Sequence, residues 1–231
     1  MEYLRNILTT AVVIYLSYVF VSFFLVPLFH RTPLRDAEVC FDGGALSTDV
    51  SNVGERVALV KTPEDGVSMR LALIKEATSR IDLSYYKLVD GTVSDLILGS
   101  LLAAADRGVT VRILLDGVIQ LANMNGRVDD IFLGFTSHPN IDVRLYEPFS
   151  LLLPFSWNNR LHDKMILVDD RFALVGGRNI EDRFYLKERY QDGFTHDRDV
   201  LVYHQRQPDS TADGLAPASA ITDMSDYFEG L

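Results

Sequence analysis

The chain is poor in cysteine, in tryptophan and in net positive charge. Cys40 is its single cysteine, so an intrachain disulfide is impossible, and nothing in the pattern suggests a zinc cluster; Cys40 reads as inert. The formal charge is −10, whereas a protein that grips the phosphate backbone of DNA needs a basic surface. No short-period repeat is visible. With 231 residues, the chain has the length of one ordinary domain plus an appendage.

Against this background one stretch stands out, Arg160–Asn179 (RLHDKMILVDDRFALVGGRN). His162, Lys164 and Asp169 stand at H-x-K-x4-D spacing, followed by Gly176-Gly177-x-Asn179. Average residue usage makes that pattern an event on the order of 10⁻⁸ per starting site. A lone His is usually a satisfied core residue and a lone Lys a solvated one; together in this register they read as a site. Arg160–Arg189 is locally near neutral, with seven basic and six acidic residues. That suits a single phosphodiester better than a polyanion.

Met165–Val168 and Phe172–Val175 are apolar runs around Asp169-Asp170-Arg171. They predict two strands joined by a tight turn, starting near Leu161 and ending at the glycines. Residues i and i+2 of a strand share a face, so His162 and Lys164 should point into one space. Gly176 and Gly177 would let backbone approach a bound group, and Asn179 would add an amide donor. An imidazole, an ammonium and an amide over such a floor suit a tetrahedral anion. The imidazole can attack phosphorus, and Lys164 and Asn179 can hold the charged oxygens.

H-x-K-x4-D-x6-GG-x-N resembles the signature of the phospholipase D superfamily. GGRNIEDRF, with LLAAADRGVTVRILLDG upstream, looks most like its cardiolipin synthase branch, and the similarity runs from about Val57 to the C-terminus. The resemblance implies a phospholipase D-like α/β sandwich with a mixed sheet, and a phosphatidyltransferase acting through a phosphohistidine on His162. It implies a phospholipid substrate such as phosphatidylglycerol, and no metal or organic cofactor, since Lys and Asn supply the electrostatics. It also implies a carboxylate that holds the catalytic His, for which Asp197 is the best match and Asp199 the second. A turn residue is the plain alternative for Asp197. Asp169 would be mainly structural, holding the motif by ion pairs, with no proton transfer assigned to it.

The family builds one active site from two such motifs, and this chain holds no second H-x-K. Either two copies pair their His162 across a homodimer interface, or the chain is the first half of a longer enzyme. A dimeric single-motif phosphodiesterase or nuclease is one alternative. An inactive half-enzyme serving as a membrane-bound partner is another. His30, His138, His196 and His204 lack matching neighbours, and His138 before Pro139 reads as a turn residue.

Ile7–Phe29 is 23 residues without a charge. At about 1.5 Å per residue it can cross a ~30 Å hydrocarbon core. Pro27–Arg31 does not look like a small-residue cleavage site, which favours an uncleaved single-pass cell-membrane anchor over a signal peptide. Arg5 and the amino terminus oppose Arg31 and Arg35, so charge bias sets no orientation. The expected layout is an anchor at residues 1–30, a tether at 31–56 and the phospholipase D-like domain at 57–231. Within that domain the pattern predicts strands at Val57–Lys61, Arg80–Leu88, Val109–Leu115, Asn140–Tyr146 and Asp199–Tyr203. Helices are expected after Thr62-Pro63, from Thr92 to Gly108, and over Ile221–Phe228, with a weak helical segment over Val118–Phe135 and a linker over Gln205–Ala216. Glu147–Trp157 (EPFSLLLPFSW) reads either as a buried connector or as an apolar lip that meets lipid.

Overall fold

The computed structural model describes residues 1–29, 55–123, 134–135, 137–190, 192–204 and 219–231. Most of the expected tether, Cys40, His30, residues 124–133 of the 118–135 segment and the 205–216 linker lie outside the described residues. The chain divides into two compact units. One is Met1–Val50 with Phe149–Arg160; the other is Ser51–Pro148 with Leu161–Leu231.

In the first unit, helix α1 (Glu2–Phe20) passes into a π-helical turn, Val21–Leu25, and a last α-helical turn, Val26–Phe29. Glu2–Leu25 is long and apolar enough to cross a membrane by length and composition. Phe149–Arg160 packs along it. A short 3-10 turn, Pro154–Asn158, starts at a proline, whose fixed φ suits a helical first residue.

The second unit is built on a seven-stranded sheet of order β1-β7-β6-β5-β2-β3-β4. Its strands are β1 (Glu55–Val60), β2 (Arg80–Tyr85), β3 (Thr110–Asp116), β4 (Ile141–Tyr146), β5 (Lys164–Val168), β6 (Phe172–Gly176) and β7 (Asp199–His204). β2, β3 and β4 run parallel, while β5, β6, β7 and β1 are antiparallel to their neighbours, so the sheet is mixed as expected. Helices α2 (Pro63–Glu76) and α3 (Thr92–Asp106) cover one face over a core that includes Ile74, Ile81, Leu83, Ile97, Leu101 and Ile166. A short helix, α4 (Gly117–Asn123), follows β3. Helix α5 (Ala220–Glu229) covers the other face with Ile221 and Phe228 over Met165, Leu167 and Val202.

The helix starts show what is local and what is not. At α2 the Thr62 side chain accepts from Asp65 N at 3.1 Å, with Pro63 in the first turn, as the sequence predicts. At α3, expected to open at Thr92, the cap position is Gly91, and the distant Asp182 carboxylate accepts from Thr92 N at 3.1 Å and Val93 N at 2.8 Å. A Cβ on Gly91 would crowd that carboxylate. α5 combines both solutions. Ser219 accepts from Thr222 N, while Glu55 of β1 accepts from Ser219 Oγ, Ala220 N and Ile221 N.

Candidate functional site

The expected hairpin is present, though β5 begins at Lys164 and His162 lies just before it. In the sheet register Tyr85 faces Lys164 and Gly176 faces Asp199. The ends of β2 and β6 and the starts of β5 and β7 therefore share one end of the sheet. There the His162 ring is exposed. Lys164 is buried beside it at 5% exposure, with Nζ 3.1 Å from His162 Nδ1 and donating to the His162 carbonyl at 2.6 Å. Burial pushes the Lys164 ammonium below its ordinary pKa, and the charges of Asp163 and Asp197 partly offset this.

Asn179 is buried at 4% exposure, and its Oδ1 has no hydrogen-bond partner among the described residues. The backbone beyond it is fixed by Val89 N donating to the Ile180 carbonyl and by Asp182 on α3. A buried amide is normally bonded; this oxygen accepts, so the group that would satisfy it is a donor such as a hydroxyl, while only Nδ2 could donate to an anion.

The glycine pair corrects the sequence reading. A Cβ on Gly177 would overlap the Asp197 carboxylate, and one on Gly176 would overlap Asp199. The bareness that was expected to admit a bound group admits these two carboxylates from the start of β7.

The two carboxylates differ sharply. Asp199 is fully buried between Arg70, at 2.8 Å, and Arg178, at 2.7 Å, while Arg70 Nε donates to Tyr85 Oη at 3.1 Å. Two guanidiniums more than offset this one carboxylate, and the carbonyls of Gly66, Val60 and Lys61 take up further guanidinium N–H groups, so Asp199 is fully engaged. Asp197 is instead bonded to Arg198 N at 2.8 Å and lines a cavity of about 390 Å³ with Lys61, His196 and Arg198. The expected hydrogen bond from His162 to Asp197 is absent among the described residues; Asp197 acts through its charge on Lys164.

Asp169 is not at this end. It occupies the β5–β6 turn, about five residues of strand or ~17 Å from Lys164. It accepts from the N–H groups of Thr78, Ser79 and Arg80 and the hydroxyls of Thr78 and Ser79, at 2.7–2.8 Å. Its structural role rests on these bonds and not on the ion pairs expected; Asp170 takes the Arg80 pair at 2.5 Å. Burial alone would raise its pKa, but the bonds from Arg80, Thr78 and Ser79 hold it at about 2.

Several partners were not read from the sequence. The Tyr86 ring lies 4.7 Å from the His162 ring, and Lys164 Nζ sits 5.5 Å over the Tyr86 ring. Asp163, between His162 and Lys164, accepts from Ser84 Oγ and from Tyr227 Oη of α5, both at 2.9 Å. Only its place after a strand could have flagged Tyr86; nothing local flags Tyr227. His138 is a turn residue as expected, with its Nδ1 taking Asn140 N, and Asp106 lies 3.3 Å from Nε2.

A family model described as "Cardiolipin synthase, PLD-like domain" matches residues 71–206. Cardiolipin synthase C of Escherichia coli is 41% identical over 130 residues, covering 52% of this chain and 26% of its own length. Cardiolipin synthase B of Salmonella typhi is 30% identical over 128 residues, with 54% and 30% covered. The chain thus spans about a quarter to a third of these curated relatives. Among solved structures, NucT from Helicobacter pylori superposes with a TM-score of 0.52 at 15% identity, over 76% of this chain and 94% of that one. Nuc from Salmonella typhimurium, a phospholipase D family member, gives 0.51 at 18% identity, over 76% and 93%. At these identities the likeness is one of fold.

Proposed function

The chain belongs to the cardiolipin synthase, phospholipase D-like domain family, and from that premise we propose that it is the phosphohistidine-forming half of a membrane-bound phosphatidyltransferase. The observation that carries this reading is an exposed imidazole whose Nδ1 lies 3.1 Å from a buried ammonium. Nδ1 is engaged, so Nε2 is the nitrogen left to face phosphorus, and it becomes nucleophilic only when its proton moves to Nδ1. While Lys164 donates to Nδ1, the ring proton sits on Nε2. A phosphoryl oxygen that takes over the Lys164 hydrogen bond frees Nδ1 to carry the proton and leaves Nε2 nucleophilic. Nε2 then bonds to phosphorus, the bond from phosphorus to the leaving alcohol breaks, and that oxygen takes a proton from an acid. A second alcohol, such as the glycerol of another phosphatidylglycerol, reverses the sequence and restores His162. Water in that role gives phosphatidic acid.

Lys164 and the Asn179 side-chain N–H would hold the phosphoryl oxygens. Asp197 would keep Lys164 charged. The acid must come from a second histidine, on another copy of the chain or on a further segment. The anchor would be residues 1–30 and the catalytic domain 57–231, at the cell membrane in a single pass.

The test is the purified protein in detergent with phosphatidylglycerol labelled at phosphorus. Acid-labile label on the wild type, absent from His162→Ala, is the expected result; equal labelling of both removes His162 from the reaction. A molar mass of twice the 26.0 kDa chain, after correction for detergent, would supply the second histidine from a copy.

A further inference from the structure

The first unit inverts what water demands of a loop. Its apolar side chains face outward, with Phe149 52%, Leu151 60%, Leu152 79%, Leu153 46% and Phe155 44% exposed. Its carbonyls, in contrast, are taken up. Four consecutive carbonyls, Ser150 to Leu153, all accept hydrogen bonds from inside the unit. Ser150 O takes Leu153 N and the Trp157 indole N–H, and Leu153 O takes Ser156 N and Oγ. Leu151 O and Leu152 O, one after the other, take the hydroxyls of Tyr15 and Tyr18 of α1 at 3.0 and 2.9 Å. Asn158 Nδ2 donates to Phe23 O at 3.0 Å, and Trp157 packs between Phe23 and Phe149. A loop in water solvates its carbonyls and hides its leucines. A non-helical segment at membrane depth has to do the reverse, because an unpaired carbonyl in hydrocarbon costs several kcal/mol.

We propose that Phe149–Trp157 is a second membrane element, a re-entrant loop immersed beside α1 in one leaflet, whose acyl chains are its partner. The proposal rests on the reading of α1 as a membrane span. The attachment points fix the depth. Tyr15, Tyr18 and Phe23 all fall in the second half of the Glu2–Leu25 helix. They spread over eight residues, about 12 Å along the axis, which fits within half of a ~30 Å hydrocarbon core. Tyr15 and Tyr18 are therefore carbonyl caps as well as aromatic residues of a span. The loop is covalently followed by Asn159-Arg160-Leu161 and then His162, so it would tie the reacting residue to lipid through a short stretch of chain.

Trp157 is the single tryptophan, which gives a direct test on the full chain. The protein is placed in phosphatidylglycerol and phosphatidylcholine vesicles whose acyl chains carry bromine either near the headgroup or deeper in the chain. Retention after alkaline carbonate is checked in parallel. The expected result is retention, blue-shifted Trp157 emission and at least about twofold quenching by acyl-chain bromine. In Tyr15→Phe/Tyr18→Phe, retention should persist while the quenching falls, because two carbonyls have lost their caps. Retention with Trp157 unquenched in the wild type overturns the immersed loop and leaves the anchor standing. Quenching unchanged in the double variant overturns the capping argument on which the immersion rests. Release by carbonate overturns the span itself, and the proposal with it.

Discussion

The two ends of the β5–β6 hairpin are made from one sequence motif and are built on opposite principles. At the turn, Asp169 has five donors around its two oxygens, and its pKa is held at about 2. At the other end Lys164 is charged at a cost, pushed down by burial, and Asn179 Oδ1 has no partner among the described residues. One end is saturated and should contribute stability. The other is left unsaturated in the protein alone, which is the state of a site whose missing partners arrive with the substrate. The motif thus mixes residues left open to a ligand with residues that hold the fold, and the spacing does not say which is which.

The largest effect expected from breaking this contrast is at His162. His162→Ala should lower turnover by about 10⁴-fold or more, as loss of a nucleophile does, with the melting temperature unchanged because the ring is exposed. Lys164→Met comes next. Turnover should fall about 10²–10³-fold, the usual cost of one transition-state donor, while the melting temperature stays level or rises. The sign follows from the pKa. A lysine whose folded pKa lies below its unfolded value costs stability at every pH where it is charged, so removing it relieves that cost. A marked loss of stability would mean that this end is structural after all.

Asp169→Ala should do the opposite. Chemical denaturation should register a loss of about 2–3 kcal/mol, from charge-assisted bonds left without their acceptor. Turnover per folded molecule should change little. The same residue sets a pH window. Its folded pKa of about 2 lies below the ordinary 3.8, so its contribution is present above about pH 4 and is lost as the pH falls towards 2. Discounted for partial exposure, that is about 1–2 kcal/mol. Asp169→Asn should flatten this part of the stability profile, as read by denaturation midpoints against pH.

How much of this was legible depends on how far apart in sequence the partners lie. The hairpin, the Thr62 cap, the buried β3 and the amphipathic α5 follow from patterns within one element, and the sequence reading finds them. The α3 cap fails because its acceptor, Asp182, is 90 residues from Thr92. Arg70, which no sequence pattern singles out, is fully buried on Asp199, 129 residues away. Asp197 and Asp199 look nearly interchangeable in HDRD, and only the Arg70 and Arg178 pairing separates them. The glycine pair was recognised as a close approach, but strand pairing with β7 decides what approaches. Chemistry was readable because it is concentrated in one stretch. Its supports were not, because they are gathered by the sheet.

The smallest effect tests whether those supports reach the reactive end. Asp163 stands between His162 and Lys164 and is held by Tyr227 of α5 and Ser84 of β2, each at 2.9 Å. Burial, together with the bond to Asp163, pushes Tyr227 up to about 12, so it remains a donor across the neutral range. If the bond only attaches α5 to the sheet, Tyr227→Phe lowers stability and leaves kinetics alone. If it positions the H-x-K backbone, kcat should fall about 3- to 10-fold, the kinetic equivalent of one modest hydrogen bond of about 0.5–1.5 kcal/mol, with KM unchanged. Asp163→Asn separates the two functions of that carboxylate. It keeps an oxygen for Tyr227 and Ser84 and so should keep the geometry. It removes a negative charge beside Lys164, so the alkaline limb of the rate profile should move to lower pH. Asp163→Ala should show both losses. An alkaline limb identical in Asp163→Asn and the wild type would mean that Lys164 does not take part in the reaction as an ammonium.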